Sequence, residues 1–309
     1  MQVALFHNSG AGKDDISTGQ LADLLRAGGF DPVCFPLKES LDDQAALHTG
    51  EFVIAAGGDG SVRDVALRLA GTGRPLAPLP LGTANNIAHS LGVRGSPAAI
   101  IAGWRSPRRL RLDLGVARGP WGETSFIEGV GLGLVGRAIS IMESIADAGV
   151  HEYARREDEL QRDLAVFLTL AQEMSPIDLS LTLDGTESRD RFLLLEILNI
   201  ARAGPALELA ARFEPGDGLL DVVAVPESQR SRLRAHFLQH FSTDRPEPLL
   251  ASKKARRIRI VTSACDLRID DKVVLESGSC PPHDAPFTID ISVDPAAIEL
   301  LLPPALSSA

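Results

Sequence analysis

The chain has 309 residues, 44% hydrophobic, 23% charged and 5% aromatic, a balance that suits a globular α/β protein with more than one core. Its 31 basic and 41 acidic residues give a net charge of −10, which argues against a nucleic-acid partner. Three scattered cysteines (Cys34, Cys265, Cys280) suggest no disulfide framework, and neither a signal peptide nor a stretch of the ~20 apolar residues that span a bilayer is evident. A reducing cytoplasm is the expected compartment. The segment VALFH reads as a buried strand, and Leu21, Leu24 and Leu25 mark a helix that stops at Gly28-Gly29. PVCFPL and EFVIAA are the next strands, with a short helical stretch around SLDDQAALH between them. A helix follows from Ser61, with Val62, Val65, Ala66 and Leu69 on one face, and PLAPLPL supplies another apolar run. Strands separated by helices predict a parallel sheet covered on both faces.

Near residue 110 the pattern changes. LRLDLGVA and IDLSLTLDG alternate apolar and polar residues, as half-buried antiparallel strands do. RFLLLEILNI, LLDVVAV, RRIRIVT, DLRI, KVVLE and FTIDISV add further strands, interrupted by helices around Tyr153–Met174 and Ser228–Phe241. Two basic runs stand out, Arg105 to Arg111 and Lys253 to Arg259. Each is open to two readings, a guarded strand edge or an attraction for anionic lipid or nucleotide phosphate.

The sharpest local feature is Gly57-Gly58-Asp59-Gly60-Ser61, directly after EFVIAA and directly before a helix. Glycines allow a tight turn and a close approach of the backbone to a ligand, and a helix start offers free N–H groups to phosphate oxygens. Ser61 is expected to cap this helix, and Ser61 with Asp64 spells an S-x-x-D capping box. The Asp59 carboxylate suits Mg²⁺, a ribose or a water. A second turn, from Gly82 through Thr83 to Asn85 and Asn86, occupies the next strand-to-helix junction. There Thr83 is expected to cap, and Asn85 to bond to a nucleotide or the neighbouring loop. Both turns would lie on one edge of the sheet, where open α/β sheets bind ligands. Asn8-Ser9-Gly10 and Gly12-Lys13 lack the spacing of a P-loop, so Lys13 reads as a loop lysine.

These residues resemble a known family. GGDGSVRDVA and PLPLGTANNIAHSLG resemble the two signatures of the diacylglycerol and sphingosine kinase catalytic domain. FIEGVGLGLVGRA resembles that family's glycine-rich opening of a second domain, EPGDGLLDVVAV its P-x-D-G-x-L-D segment, and IELLLPP its final strand. The resemblance implies a nucleotide-binding parallel α/β domain at residues 1–112, completed by a returning strand at 294–309. A β-rich antiparallel substrate domain would occupy 113–293. It implies γ-phosphoryl transfer from ATP, with Mg²⁺, to the hydroxyl of a diacylglycerol, ceramide or sphingoid base. The lipid would be reached at a membrane surface, peripherally at its inner face. Asn8, the loop from Gly57 through Gly58, Asp59, Gly60 and Ser61 to Asp64, Gly82, Thr83 and Asn85 fall on nucleotide-contacting positions. Glu214, Asp217 and Leu219 fall on a structural Mg²⁺ site, although Asp217 also reads as a plain turn residue.

Asp270 falls on the aspartate of the family's D-G-E motif, which takes the proton of the lipid hydroxyl. Asp271 replaces the glycine of that motif and Lys272 the glutamate; Asn86 replaces an aspartate of the second signature, and Asp64 shortens a glutamate. The same three residues, Asp270-Asp271-Lys272, also suit a hairpin turn. Two other readings stand beside the lipid kinase: an NAD-kinase-like phosphotransferase, which shares the GGDG loop, and a nucleotide- or lipid-binding regulator without turnover.

Overall fold

The computed structural model describes residues 1–8, 16–147, 156–240, 250–264, 267–275 and 285–304. Lys13, Cys265, Cys280 and the predicted helix start at Tyr153 lie outside the described residues. The chain divides into two compact units: Met1–Leu114 with Glu214–Gly218 and the chain from Asp294 onward, and Gly115–Phe213 with Leu219–Val293.

In the first unit, β1 (Gln2–His7), α1 (Thr18–Ala27), β2 (Asp31–Pro36), the short α2 (Leu37–Ser40) and α3 (Gln44–Leu47), and β3 (Val53–Gly57) follow in order. Then come α4 (Asp59–Leu69), β4 (Leu76–Pro80), α5 (Asn86–Ser90), α6 (Pro97–Gly103) and the first half of β5 (Arg108–Gly119). Helix α1 begins with a complete capping box, Ser17 with Gln20, which the sequence reading did not pick out; it ends at Gly28, where the stop was expected. Strand order is β2-β1-β3-β4, all parallel, and the strand running through Leu300 adds in parallel beside Leu76. Strand β3 is buried along its whole length, because a parallel strand with helices on both sides has no wet face. Phe30, Phe52 and Trp104 meet edge-to-face at the end of this sheet opposite its glycine turns, so Trp104 is a packing residue.

The second unit holds the rest of β5, β6 (Gly122–Phe126), β7 (Gly129–Gly133), α7 (Leu134–Asp147), α8 (Arg156–Glu173), β8 (Ile177–Leu183) and β9 (Thr186–Leu198). It continues with β10 (Arg202–Ala203), β11 (Leu207–Glu208), β12 (Leu220–Pro226), α9 (Arg230–His240), β13 (Ser252–Ala255), β14 (Arg257–Thr262), β15 (Leu267–Ile269), β16 (Lys272–Leu275) and the first half of β17 (Phe287–Leu302). Its pairings are antiparallel throughout, running β16-β15-β7-β9-β8-β14-β17, with β12 and then β13 added beside β9. One face of these strands contributes Val130, Leu132, Leu195, Ile197 and Ile269 to an inter-strand core. The other face packs under helices α8 and α9, where the Phe167 and Phe237 rings lie 4.9 Å apart.

Candidate functional site

Strands β1, β3 and β4 are parallel and in register, so His7-Asn8, Gly57-Gly58 and Leu81-Gly82 emerge at one edge of the first unit. The two glycine turns interlock there. The Leu81 N–H donates to the Gly57 carbonyl at 2.9 Å, and a Cβ added to Gly82 would stand 2.5 Å from the Gly58 Cα. The Asp59 carboxylate accepts the N–H of Ile87 at 2.9 Å, so the first turn anchors the helix that follows the second. Asn8 reaches the Ser61 hydroxyl at 3.4 Å, bringing β1 to the same place. His7, buried at the end of β1, meets the Thr18 hydroxyl at 2.8 Å, and burial pushes its pKa down.

Three capping expectations are corrected. Helix α4 starts two residues earlier than Ser61, with Gly58 in extended conformation as its N-cap and no side-chain cap hydrogen bond. Ser61 is instead a buried residue of the first turn, and no capping box forms: the Asp64 carboxylate pairs with Arg63 at 3.0 Å. Thr83 caps nothing; its exposed hydroxyl stands just before α5, whose N-cap is Asn85 in the left-handed region (φ 50°). Asn85 closes its own turn, accepting from the Gly82 N–H at 2.9 Å and donating to the Gly82 carbonyl at 2.6 Å. The result is an 11-residue helix that starts from Gly58 without a side-chain cap, and backbone N–H groups at a helix start are the chemistry that receives phosphate oxygens.

The anchoring role of Asp59 is testable. Asp59→Ala removes the acceptor of a buried N–H and is expected to cost about 1–3 kcal/mol in urea denaturation. Asp59→Asn keeps an oxygen acceptor and should recover most of the loss; equal losses in both variants would remove the anchor.

In the second unit Asp270 forms, with Asp271, the hairpin turn between β15 and β16, in a left-handed conformation (φ 53°). Its carboxylate is buried and accepts three backbone N–H bonds, from Ile127 (3.2 Å), Glu128 (2.8 Å) and Gly129 (3.1 Å). Asn199 completes this turn by donating to the Ile127 carbonyl at 3.0 Å, and Glu128 is itself buried within it. Lys272 is exposed at the start of β16.

Beside this turn lies a feature that the motif comparison missed. Gly131 on β7 stands in register with Arg268 on β15 and Glu196 on β9. A Cβ on Gly131 would come within 2.4 Å of Glu196 Oε1. The bare glycine thus lets Arg268 reach across its strand to Glu196 at 2.6 Å, with both side chains almost wholly buried (2% and 0% exposed). Arg268 also donates to the Asp270 carbonyl, so the pair holds the turn from below. Burial raises the Glu196 pKa to about 7, with the Arg268 charge drawing it back down.

Glu214 and Asp217 lie in the Glu214–Gly218 segment of the first unit, and Leu219 is the next residue of the chain. Gly216 and Gly218 are left-handed (φ 76° and 72°), and Asp113 pins the segment by accepting the Gly218 N–H at 2.8 Å. The same carboxylate accepts the N–H of Ala296 at 2.6 Å. Carboxylate and backbone carbonyl oxygens on a pinned turn match the hard donors that Mg²⁺ prefers. Among the described residues no cluster of three His, Cys, Asp or Glu side chains is placed to bind a metal. No helix among them is long and apolar enough to cross a membrane.

Residues 2–117 match the diacylglycerol kinase catalytic domain, and residues 138–302 match the YegS C-terminal NAD kinase beta sandwich-like domain. A Pseudomonas putida protein named "Probable lipid kinase YegS-like" is 31% identical over 57% of this chain and 56% of its own length. A Pseudomonas fluorescens protein of the same name is 32% identical over 60% and 58%. The chain thus spans a little over half the length of these relatives. A Mycobacterium tuberculosis protein named diacylglycerol kinase is 25% identical over 84% of this chain and 79% of its own. Among solved structures, a diacylglycerol kinase from Bacillus anthracis superposes with a TM-score of 0.68 at 18% identity, over 98% of both chains, which speaks to the fold.

Proposed function

Because the chain belongs to the diacylglycerol kinase and YegS-like lipid kinase family, we propose that it transfers the γ-phosphoryl group of ATP to a lipid hydroxyl of the diacylglycerol, ceramide or sphingoid-base class. The observation that carries this reading is the interlock of the Gly58 and Gly82 turns, which fixes a cradle of uncapped helix N–H groups at one sheet edge. Phosphoryl transfer asks a protein for positioning and charge stabilisation more than for covalent chemistry. The N–H groups at the start of α4 bind phosphate oxygens, Asn8 and Ser61 brace that turn, and the exposed Thr83 hydroxyl adds a donor. Glu214, Asp217 and the Leu219 carbonyl are the groups that would hold Mg²⁺, which when bound supplies fixed positive charge and stiffens their turn.

Asp270 is the proposed acceptor for the lipid hydroxyl. Its three backbone bonds hold the carboxylate in one orientation, and a fixed acceptor that aligns a nucleophile is what a loose transition state requires. Asp270→Asn should abolish turnover while leaving nucleotide-dependent thermal stabilisation in place; retained turnover removes Asp270 from the reaction. The assay is transfer from γ-labelled ATP with Mg²⁺ to diacylglycerol, ceramide, sphingoid base and phosphatidylglycerol in detergent, with NAD as a further arm. A labelled lipid establishes the reaction and its acceptor. Label on NAD alone would replace the lipid reading, and nucleotide binding without any product would reduce the protein to a binder.

A further inference from the structure

The second unit carries a cavity of about 340 Å³ that shares no residue with the Asp270 turn. Its floor is apolar and buried: Leu181 of β8, Phe192 of β9, Val222 of β12 and Leu250. Its rim carries three cations, Arg189 of β9, Arg232 of α9 and Lys253 of β13, all exposed. Among the described residues no carboxylate pairs with any of the three. One acid, Asp190, also lines the cavity, but its Oδ1 accepts the backbone N–H of Arg191.

A solvated, charged edge accounts for Lys253, because β13 pairs only with β12 and an edge strand benefits from lysine. It does not account for the apolar floor beneath the charges, nor for cations from a second strand and a helix around the same opening. Like charges gathered without partners repel one another, and an anion relieves that repulsion. Arginine in particular binds carboxylate and phosphate oxygens through paired donors. A floor of about this volume lies at the low end of ligand sites and holds one alkyl segment, not the two chains of a diacyl lipid.

We propose that this cavity binds a single-chain anionic amphiphile, its tail on the Leu181–Phe192–Val222 floor and its carboxylate or phosphate head among Arg189, Arg232 and Lys253. The site uses neither the glycine turns nor Asp270, and it stands whether or not the protein transfers phosphate.

The test is isothermal titration of the full chain, without nucleotide, with dodecyl phosphate and dodecanoate as monomers, and with neutral dodecyl maltoside and inorganic phosphate as comparators. One dodecyl phosphate is expected to bind per chain. Affinity should fall by about tenfold or more in the combined variant Arg189→Gln, Arg232→Gln, Lys253→Gln, where each lost headgroup contact is read as a ratio of dissociation constants. Ala224→Phe, which fills the cavity from its wall, should weaken binding comparably with all three cations in place. Similar affinity for dodecanoate supports the site and makes the head a generic anion; a clear preference for dodecyl phosphate supports it and names the head. Equal binding of dodecyl maltoside, or full competition by inorganic phosphate, overturns the proposal. So does binding that survives both cavity variants but is lost in Asp270→Asn, because the ligand then occupies the proposed transfer site as a product would.

Discussion

Gly82→Ala is expected to lower the proposed phosphoryl transfer about 100-fold, the loss associated with moving a reacting group by roughly 1 Å. The backbone at Gly82 needs no left-handed conformation, so strain in the turn itself is not the cause. The cause is the neighbour. The new methyl would lie 2.5 Å from the Gly58 Cα, and that atom belongs to backbone, which cannot swing aside as a side chain would. Either the second turn retreats or the first turn shifts, and with it the N–H groups that begin α4. The Asp59 bond to Ile87 and the Asn85 bonds to Gly82 would strain in the same movement. Steady-state kinetics with ATP and whichever acceptor the transfer assay labels give the number, with circular dichroism showing that the fold persists. Nucleotide-dependent thermal stabilisation should fall with turnover. Unchanged kinetics would mean that the two turns do not act as one cradle.

The second large effect concerns the buried pair. Arg268→Leu is expected to destabilise the protein by about 3–5 kcal/mol at pH 8, because it leaves the Glu196 carboxylate without its counter-charge in a dry interior. The size of the loss should depend on pH, and the sign follows from Glu196. Its folded value, about 7, lies above its ordinary one near 4.5, so the stability linked to its protonation is complete below about 4.5 and is lost as pH rises through 7. At pH 5.5 the acid is neutral in the folded wild type, and Arg268 then faces no charge. The penalty for removing the arginine should therefore shrink on acidification. Urea denaturation of both proteins at pH 5.5 and pH 8 reads the difference, and the same loss at both values would discard the ionised pair. Glu196→Gln is the companion variant: it leaves Arg268 as the unpaired buried charge, and at pH 8 should cost as much as the first.

The pattern of what could be read from sequence follows the range of the interactions. The glycine turns were legible because their signal is local: an apolar strand, a run of glycines and a helix face within about twenty residues. Their caps were misplaced because a capping residue is defined by where the strand before it ends. Strand β3 runs through Gly57, so Gly58 takes the cap and the serine three positions on falls inside the helix. The hairpin reading of Asp270-Asp271-Lys272 and the family role of Asp270 are not rivals in the structure, since the turn that makes the hairpin also turns the Asp270 carboxylate onto three N–H groups. The Glu196–Arg268 pair was out of reach, because it joins residues 72 positions apart. Its traces were nonetheless present: a glutamate inside RFLLLEILNI, an arginine inside DLRI, and glycine at alternate positions 129, 131 and 133. Alternate glycines strip one face of a strand, and a stripped face beside two charged core residues is a pattern worth seeking in any sheet.

The Asp113 carboxylate has a consequence for how the protein is made. It joins β5 to Gly218 and to Ala296, and the strand around Leu300 closes the free side of β4. A ribosome working at ~5–20 residues per second reaches that strand roughly 10–40 s after it has finished Leu114. Throughout that interval the nascent first unit carries both glycine turns, yet β4 presents an open row of N–H and C=O groups, the surface that recruits stray strands. The unit that is begun first is thus the unit completed last. Its protection during synthesis falls to whatever shields that edge until the C-terminal strand arrives.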